Sequence, residues 1–280
     1  MRILERLIEF ANIEMEVPAI FSPFHLLPAI LVVLFCVVLY LFFRDANDRT
    51  FRILIGGMFA VMFLFEVVKQ LAVHTSLNEG VLTFQYNWNS FPFQLCSTPL
   101  YVLPFLSFLP DCRIRDFAAS YTMTFALVGG IAVYLTPKTV FTVRLVTNIQ
   151  TMVHHGIQIV TGVFTAIYYR RRINRRFFTD GVLVFSLVFI IANLLNTVGY
   201  DMLLANGLIA EGDSFNMFYI SPRADQTFPM CNDLLKSFPP IVCIVGYFVI
   251  VTAFAFVIAR FVYDVYRLSH RRRELRLSQR

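Results

Sequence analysis

The chain has 280 residues, of which 58% are hydrophobic and only 15% are charged, and its net charge is +6. Soluble domains carry roughly 25% charged and about 45–50% apolar residues, so this composition excludes a soluble globular protein and, with 31 Phe and 12 Tyr, a disordered chain. The positive charge lies in loops and a tail beside apolar runs, which argues against a nucleic-acid-binding protein and indicates a polytopic membrane protein.

A membrane-spanning helix needs about 20 mostly apolar residues. Seven stretches meet this requirement: 24–43, 51–74, 91–110, 117–136, 145–169, 181–204 and 238–262. Most Lys and Arg residues follow the first, third, fifth and seventh stretches. Because cytoplasmic loops carry an excess of basic residues, we predict an all-α transmembrane helical bundle of about seven spans, with the N-terminus outside and the C-terminus inside.

The predicted domain organisation is simple. Residues 1–23 form an N-terminal segment in which apolar residues recur at helical spacing over 1–16, which predicts an interfacial helix; a frayed terminus is the alternative. Residues 24–266 form one transmembrane domain without internal repeats, and 267–280 form a basic cytoplasmic tail. The acidic stretch 205–237 is predicted to be a structured outside loop or lid.

Polar side chains lie within four of the spans. Intramembrane polar groups are costly, so they mark a functional site or a seam of the bundle. The predicted topology places all of them at one depth in the outer leaflet, which favours a shared polar cavity. For the Asn and Thr residues, simple hydrogen bonding between helices is an open alternative. The groups are Glu66 and Lys69 in the second span; Gln94 and Cys96 in the third; Asn148, Thr151, His154, His155 and Gln158 in the fifth; and Asn193, Asn196, Thr197 and Tyr200 in the sixth.

Cys96 has the surroundings of a candidate nucleophile. Ser90 as N-cap and Pro92 in the first turn predict that Cys96 lies in the second turn of a helix that Pro99 interrupts. Nearby cations and a helix N-terminus favour the thiolate, which is the nucleophilic form. Two alternatives stay open: Cys96 is a packing residue, or it forms a disulfide with Cys231.

The sequence predicts neither a metal site nor a cofactor. The five cysteines show no CxxC or CxxH spacing. His154 and His155 are adjacent, and neighbouring helical residues point about 100° apart, so the two rings cannot chelate one ion.

Three short motifs give a family resemblance over roughly residues 50–260. They are Phe91-Pro-Phe-Gln-Leu-Cys96 before a proline-containing span, His154-His-Gly-Ile-Gln158, and Asn216-Met-Phe-Tyr219 before Pro222 and a final span. In this order and spacing they resemble the YwaF-like family of integral membrane proteins, which is related to transmembrane protein 164. Many members have a histidine two residues before the cysteine, where this chain has Gln94.

The resemblance implies a helical-bundle acyltransferase with an intramembrane Cys–His pair. On that basis Cys96 attacks a lipid ester and carries the acyl chain as a thioester. His155, with His154 as the second choice, acts as the base. The acceptor is a lysophospholipid or water, because related hydrolases share the bundle. We expect the Cys96 sulfur within hydrogen-bond reach of the His155 ring or one water away, in a cavity that opens toward the outer leaflet.

The remaining polar residues are assigned to the same polar cavity as Cys96 and His155. Lys69, Asn193, Asn196 and the free backbone amides near the start of the third span are candidate oxyanion donors. Glu66, Gln94 and Asn216 complete the expected substrate-binding residues. The expected partner is a membrane phospholipid or lysophospholipid, with no nucleic acid, and the expected location is the plasma membrane.

Two other function classes compete with the enzyme. A transporter of ions or small solutes would use Glu66 and Lys69 within their span, although the chain lacks the inverted repeats common in transporters. A non-catalytic seven-span sensor or scaffold would use the basic tail, Arg271 to Arg273, to bind a partner or anionic lipid.

Overall fold

The fold was derived from a computed structural model, which describes residues 6, 9–10, 13–78, 81–213, 215–223 and 238–278. Of the predicted interfacial helix over 1–16, only Arg6, Glu9 and Phe10 are described as helical, and most of the segment lies outside these ranges. Cys231, and with it the proposed disulfide, lies outside the described residues as well.

The described chain is mostly helical, as predicted. The helices are α1 (Pro23–Phe43), α2 (Asp48–His74), α3 (Pro99–Phe108), α4 (Arg113–Leu135), α5 (Leu145–Tyr169), α6 (Arg175–Leu194, continued through Leu195–Gly199 and Tyr200–Ala205) and α7 (Pro240–Ser278). One antiparallel hairpin, β1 (Thr75–Asn78) and β2 (Val81–Phe84), follows α2, with Thr75 opposite Phe84.

Among the described residues, five helices have the length and hydropathy of membrane spans: α1, α2, α4, α6 and α7. The other two predicted spans correspond to α3, which is apolar but has only 10 residues, and to α5, whose 25 residues include many polar side chains. The count of seven spans and the orientation of the termini stay predictions.

α5 is the central helix, and this position explains its polar sequence. It packs against α1, α2 and α4 and buries most of its side chains in protein. Its polar groups therefore meet other protein groups, not lipid, whereas α1 exposes apolar side chains along its length. A Cβ on Gly130 of α4 would lie 3.1 Å from the His155 carbonyl oxygen, so glycine permits close contact between α4 and α5.

Ion pairs join the helix ends at the face predicted to be cytoplasmic. The guanidinium of Arg115 is fully buried, lies 2.6 Å from Asp48 and lies over the ring of Phe51, which ties α4 to α2. Arg172, after α5, pairs with Asp111 through two bonds of 2.6 and 2.7 Å. These ion pairs hold the helix ends together at one end of the bundle. The polar residues of the candidate site, such as Glu66 and His154, lie toward the other end.

Candidate active site

The segment that carries Cys96 is not helical, which corrects the prediction that Cys96 lies in the second turn of a helix capped by Ser90. Residues 91–98, the Cys96 segment, form bends and turns, and α3 begins only at Pro99. Pro92 and Pro99 cannot donate backbone hydrogen bonds. Phe91, which precedes Pro92, has extended backbone angles, with a ψ of 127°, as is usual for a residue before proline. A single turn remains, in which the Ser97 and Thr98 amides donate to the Gln94 carbonyl at 2.8 and 3.2 Å.

A buried loop packs against the Cys96 segment. Residues 215–221, the return loop, follow α6 and fold back into the bundle, so Asn216 reaches the site although it lies beyond the sixth span. The Gln94 side chain donates to the Asn216 carbonyl at 2.8 Å and accepts from the Phe218 amide at 2.7 Å. The Phe93 and Phe218 rings stack with centroids 6.0 Å apart.

α6 holds the other side of the return loop. The side-chain nitrogen of Asn196 donates to the Met217 carbonyl at 2.8 Å, and its side-chain oxygen accepts from the Met217 backbone N–H at 2.7 Å. Phe218 and Tyr219 adopt left-handed backbone angles, with φ of 58° and 59°. Non-glycine residues rarely adopt this conformation and the surrounding contacts must stabilise it. Gln94 and Asn196 thus hold the return loop in place, because the side-chain amides of both residues hydrogen-bond to its backbone.

His154 contacts the Cys96 backbone directly. Its Nε2 lies 2.9 Å from the Cys96 carbonyl oxygen, and its Nδ1 lies 3.4 Å from Nε2 of Gln150. The same Gln150 nitrogen lies 3.2 Å from Glu66, whose other carboxylate oxygen pairs with Lys69 at 2.7 Å. The imidazole, the amide and the carboxylate are all buried.

His155 has one unoccupied ring nitrogen. Its Nδ1 lies 2.7 Å from the Thr151 carbonyl, and because a carbonyl only accepts, Nδ1 carries the proton. Nε2 therefore has a free lone pair, and no described group bonds to it. The Cys96 thiol consequently makes no direct hydrogen bond with His155 in this structure. The expectation that one water separates the two stays a prediction.

Two backbone amides beside the thiol donate to no other residue. Within the described ranges, the N–H groups of Leu95 and Cys96 have no partner in another residue, because the turn uses the amides of Ser97 and Thr98. Adjacent free N–H groups can stabilise the negative charge that develops on a carbonyl oxygen under attack. These two amides fit the prediction of free donors near the start of the third span.

Helical irregularities border the site on two sides. α4 contains a π-helical turn at Thr122–Ala126, and α6 contains one at Leu195–Gly199, where Asn196 lies. The side-chain amide of Gln158 donates to the Ala126 carbonyl at 2.7 Å. A Cβ on Gly129 would lie 2.9 Å from that amide nitrogen and 3.8 Å from the Cα of Cys96. Glycine at 129 thus allows α4, α5 and the Cys96 segment to meet.

The structure brings most of the predicted site residues together. Glu66, Lys69, Gln94, Cys96, His154, Asn196 and Asn216 are linked by the contacts described above. Asn193 is placed differently: its side chain donates to the Phe189 carbonyl of its own helix at 2.9 Å, and no described contact joins it to the Cys96 segment. Gln150 was missed, although it lies one helical turn before His154 on the same face of α5.

Two cavities among the described residues lie away from Cys96. One, of about 230 Å³, is lined by Arg113 and Asp180, near the starts of α4 and α6, and by Arg172, after α5. The second lies at the turn between α1 and α2. Neither is the cavity predicted at Cys96, which stays a prediction.

In a comparison with families of known proteins, the model of the TMEM164 family matches residues 20–263. Because this match spans most of the chain, the chain belongs to the TMEM164 family. The match and the five apolar helices identify a multi-pass membrane protein. Comparisons with curated proteins and with solved structures returned no match.

Proposed function

We propose that this member of the TMEM164 family is an acyl-transferring enzyme that acts on membrane lipid esters through a thioester on Cys96. The observation that carries the proposal is the free Nε2 lone pair of buried His155, next to His154, which contacts the backbone of Cys96. Beside it are the Cys96 side chain and two backbone amides that donate to no other residue. These are the three parts that acyl transfer requires: a base, a nucleophile and donors for an oxyanion.

The first half-reaction acylates the enzyme. His155 Nε2 takes the thiol proton, and the sulfur attacks the ester carbonyl of the donor lipid. The amides of Leu95 and Cys96 stabilise the oxyanion. The ester C–O bond then breaks, the imidazolium returns its proton to the leaving alkoxide, and a lysolipid departs. Because His155 and Cys96 are not bonded in the resting structure, one bridging water or a closure on substrate binding completes the contact.

The second half-reaction transfers the acyl group. His155 takes a proton from the acceptor hydroxyl, whose oxygen attacks the thioester. The C–S bond breaks, and the departing thiolate takes the proton back from the imidazolium. A lysophospholipid acceptor gives a remodelled phospholipid, and water gives a free fatty acid. The lipid substrates reach the site from the bilayer, and the plasma membrane is the proposed location.

Trapping of the acyl-enzyme tests this proposal. Purified protein in nanodiscs is incubated with a phospholipid that carries an alkyne-tagged acyl chain and is then analysed for a hydroxylamine-sensitive label. We expect labelling of the wild type and none of Cys96→Ala. Cys243→Ala is the matched control, because Cys243 is a buried cysteine of α7. Equal labelling of Cys96→Ala and wild type would exclude Cys96 as the acyl carrier.

The contacts of Glu66 do not favour a transporter. Its carboxylate is buried and accepts hydrogen bonds from Gln70 and Gln150 in addition to its pair with Lys69. A carboxylate with these three partners has little capacity to bind and release a travelling cation. These contacts support an acyl-transfer site in which Glu66 has a fixed position.

A further inference from the structure

Gln150 occupies a position that neither the motifs nor the family match assigns. It lies on α5, is buried, and directs one amide nitrogen toward two acceptors: Oε2 of Glu66 at 3.2 Å and Nδ1 of His154 at 3.4 Å. A glutamine has two N–H donors on this nitrogen, so it can serve both acceptors at once.

The protonation pattern of this group follows from which atoms can only accept. The Glu66 carboxylate only accepts, so the nitrogen end of the Gln150 amide must face it. The second N–H of Gln150 then points at Nδ1 of His154, which must accept, and the ring proton is therefore on Nε2. The Cys96 carbonyl, 2.9 Å from Nε2, also only accepts, so the same tautomer is required from both ends.

We propose that Gln150 is a positioning residue that fixes His154 as the Nε2–H tautomer and thereby anchors the peptide group of Cys96. Glu66 orients the Gln150 amide, and the ammonium of Lys69 balances the charge of Glu66. This role replaces the substrate contact that the sequence suggested for Glu66. The effect of this His154–Cys96 bond on the reaction rate rests on the proposed function. The tautomer of His154 does not depend on that proposal.

The Cys96 segment needs such an anchor because it is not part of a helix. Its two prolines remove backbone donors, and the turn bonds that remain involve the Gln94 carbonyl. The bond from His154 fixes the orientation of the peptide that follows the Cys96 Cα. A displacement of about 1 Å at a reacting centre costs about 10²-fold in rate. In the Nδ1–H tautomer, the lone pair on Nε2 of His154 would face the Cys96 carbonyl oxygen. The two would repel each other, and Cys96 would be displaced.

The experiment measures the His154 tautomer by ¹⁵N-histidine NMR of the full chain in nanodiscs. The His154 signal is assigned by its loss in His154→Phe. We expect Nε2–H alone in the wild type and a mixture of both tautomers in Gln150→Met, whose side chain lacks the N–H donors and adds no charge beside Glu66. The rate of thioester formation should fall about 10²-fold in Gln150→Met, with little change in the lipid concentration for half-maximal rate. Gln158→Met is the matched control for the tautomer: the Gln158 amide donates to the Ala126 carbonyl and not to His154, so this variant should keep Nε2–H.

Nδ1–H at His154 in the wild type overturns the proposal and needs no variant to fold. Nε2–H alone in folded Gln150→Met overturns it as well, because the Cys96 carbonyl then fixes the tautomer without Gln150. If Gln150→Met does not fold, Gln150→Leu, which also lacks the donors, takes its place. Failure of the proposed function is separate: it appears as persistent labelling of Cys96→Ala, whatever the His154 tautomer is.

Discussion

His155 donates its Nδ1 proton to the Thr151 carbonyl at 2.7 Å, and this bond leaves Nε2 as an unbonded base. His154, the next residue, has contacts at both of its ring nitrogens. The two adjacent histidines therefore have different capacities: one is free to accept a proton, and the other contacts the backbone carbonyl of Cys96, the proposed nucleophile.

The first prediction separates the two histidines. We expect His155→Ala to slow thioester formation by about 10²–10⁴-fold, the usual contribution of a general base. Raising the pH should restore part of this loss, because hydroxide can generate the thiolate without a base. His154→Ala should be slower than wild type at every pH, without such a recovery. The measurement is the single-turnover rate of labelling across pH, and recovery in His154→Ala but not in His155→Ala would reverse the assignment.

The second prediction concerns the return loop. Asn196→Ala removes both side-chain bonds to Met217 and leaves buried backbone groups unpaired, each at a cost of about 1–3 kcal/mol. We expect a lower unfolding temperature and faster proteolysis within residues 206–223. Asn193→Ala is the matched control, since its amide bonds to its own helix. It also tests the oxyanion role suggested for Asn193, because a large loss of labelling without a loss of stability would support that role.

The third prediction concerns the contact between α4 and α5. Gly130→Ala places a Cβ 3.1 Å from the His155 carbonyl oxygen and 3.3 Å from the Ile159 amide nitrogen. These are backbone atoms that cannot move alone, so the helices must separate, and overpacking of this kind costs about 1–3 kcal/mol. Thermal unfolding in detergent should show the loss. Gly57→Ala should unfold like the wild type, because no atom lies within 4 Å of its added Cβ.

The fourth prediction concerns the pair of Glu66 and Lys69. Removing one partner of a buried ion pair costs about 3–5 kcal/mol. We expect Glu66→Ala to be more destabilising than Lys69→Ala, because Glu66 also accepts bonds from Gln70 and Gln150. The unfolding temperatures of the two variants test this order, and a lower temperature for Lys69→Ala than for Glu66→Ala would contradict it. Proteoliposome flux that Glu66→Gln changes, with labelling of Cys96 unaffected, would instead favour the transporter.

The fifth prediction tests the orientation. In a background without native cysteines, Lys138→Cys and Arg171→Cys place exposed thiols at opposite ends of α5. The distribution of basic residues predicts an outside position for 138 and an inside position for 171. A membrane-impermeant maleimide should therefore label Lys138→Cys in intact cells and Arg171→Cys only after permeabilisation. The opposite pattern would show that the chain is inverted.

Part of the fold could be predicted from the sequence because the relevant signals are local. Hydropathy over about 20 residues located the spans, and α1, α2, α4, α5 and α6 lie within a few residues of the predicted positions. Helical periodicity also identified the buried face of α5 that carries His155 and Gln158. The prediction failed at the Cys96 segment, where Ser90 and Pro92 resemble a helix start and the chain instead forms turns before Pro99.

The sequence by itself determined that this chain forms a helical membrane protein, and it predicts that the polar residues lie at one depth, because apolar length and residue spacing are properties of each helix alone. Only the tertiary structure decided which polar groups contact one another. The bond between His154 and Cys96 joins residues 58 apart, and that between Gln94 and Asn216 joins residues 122 apart. Such pairs form only when helices pack, so packing alone brings Gln150 to His154 and the return loop to the Cys96 segment.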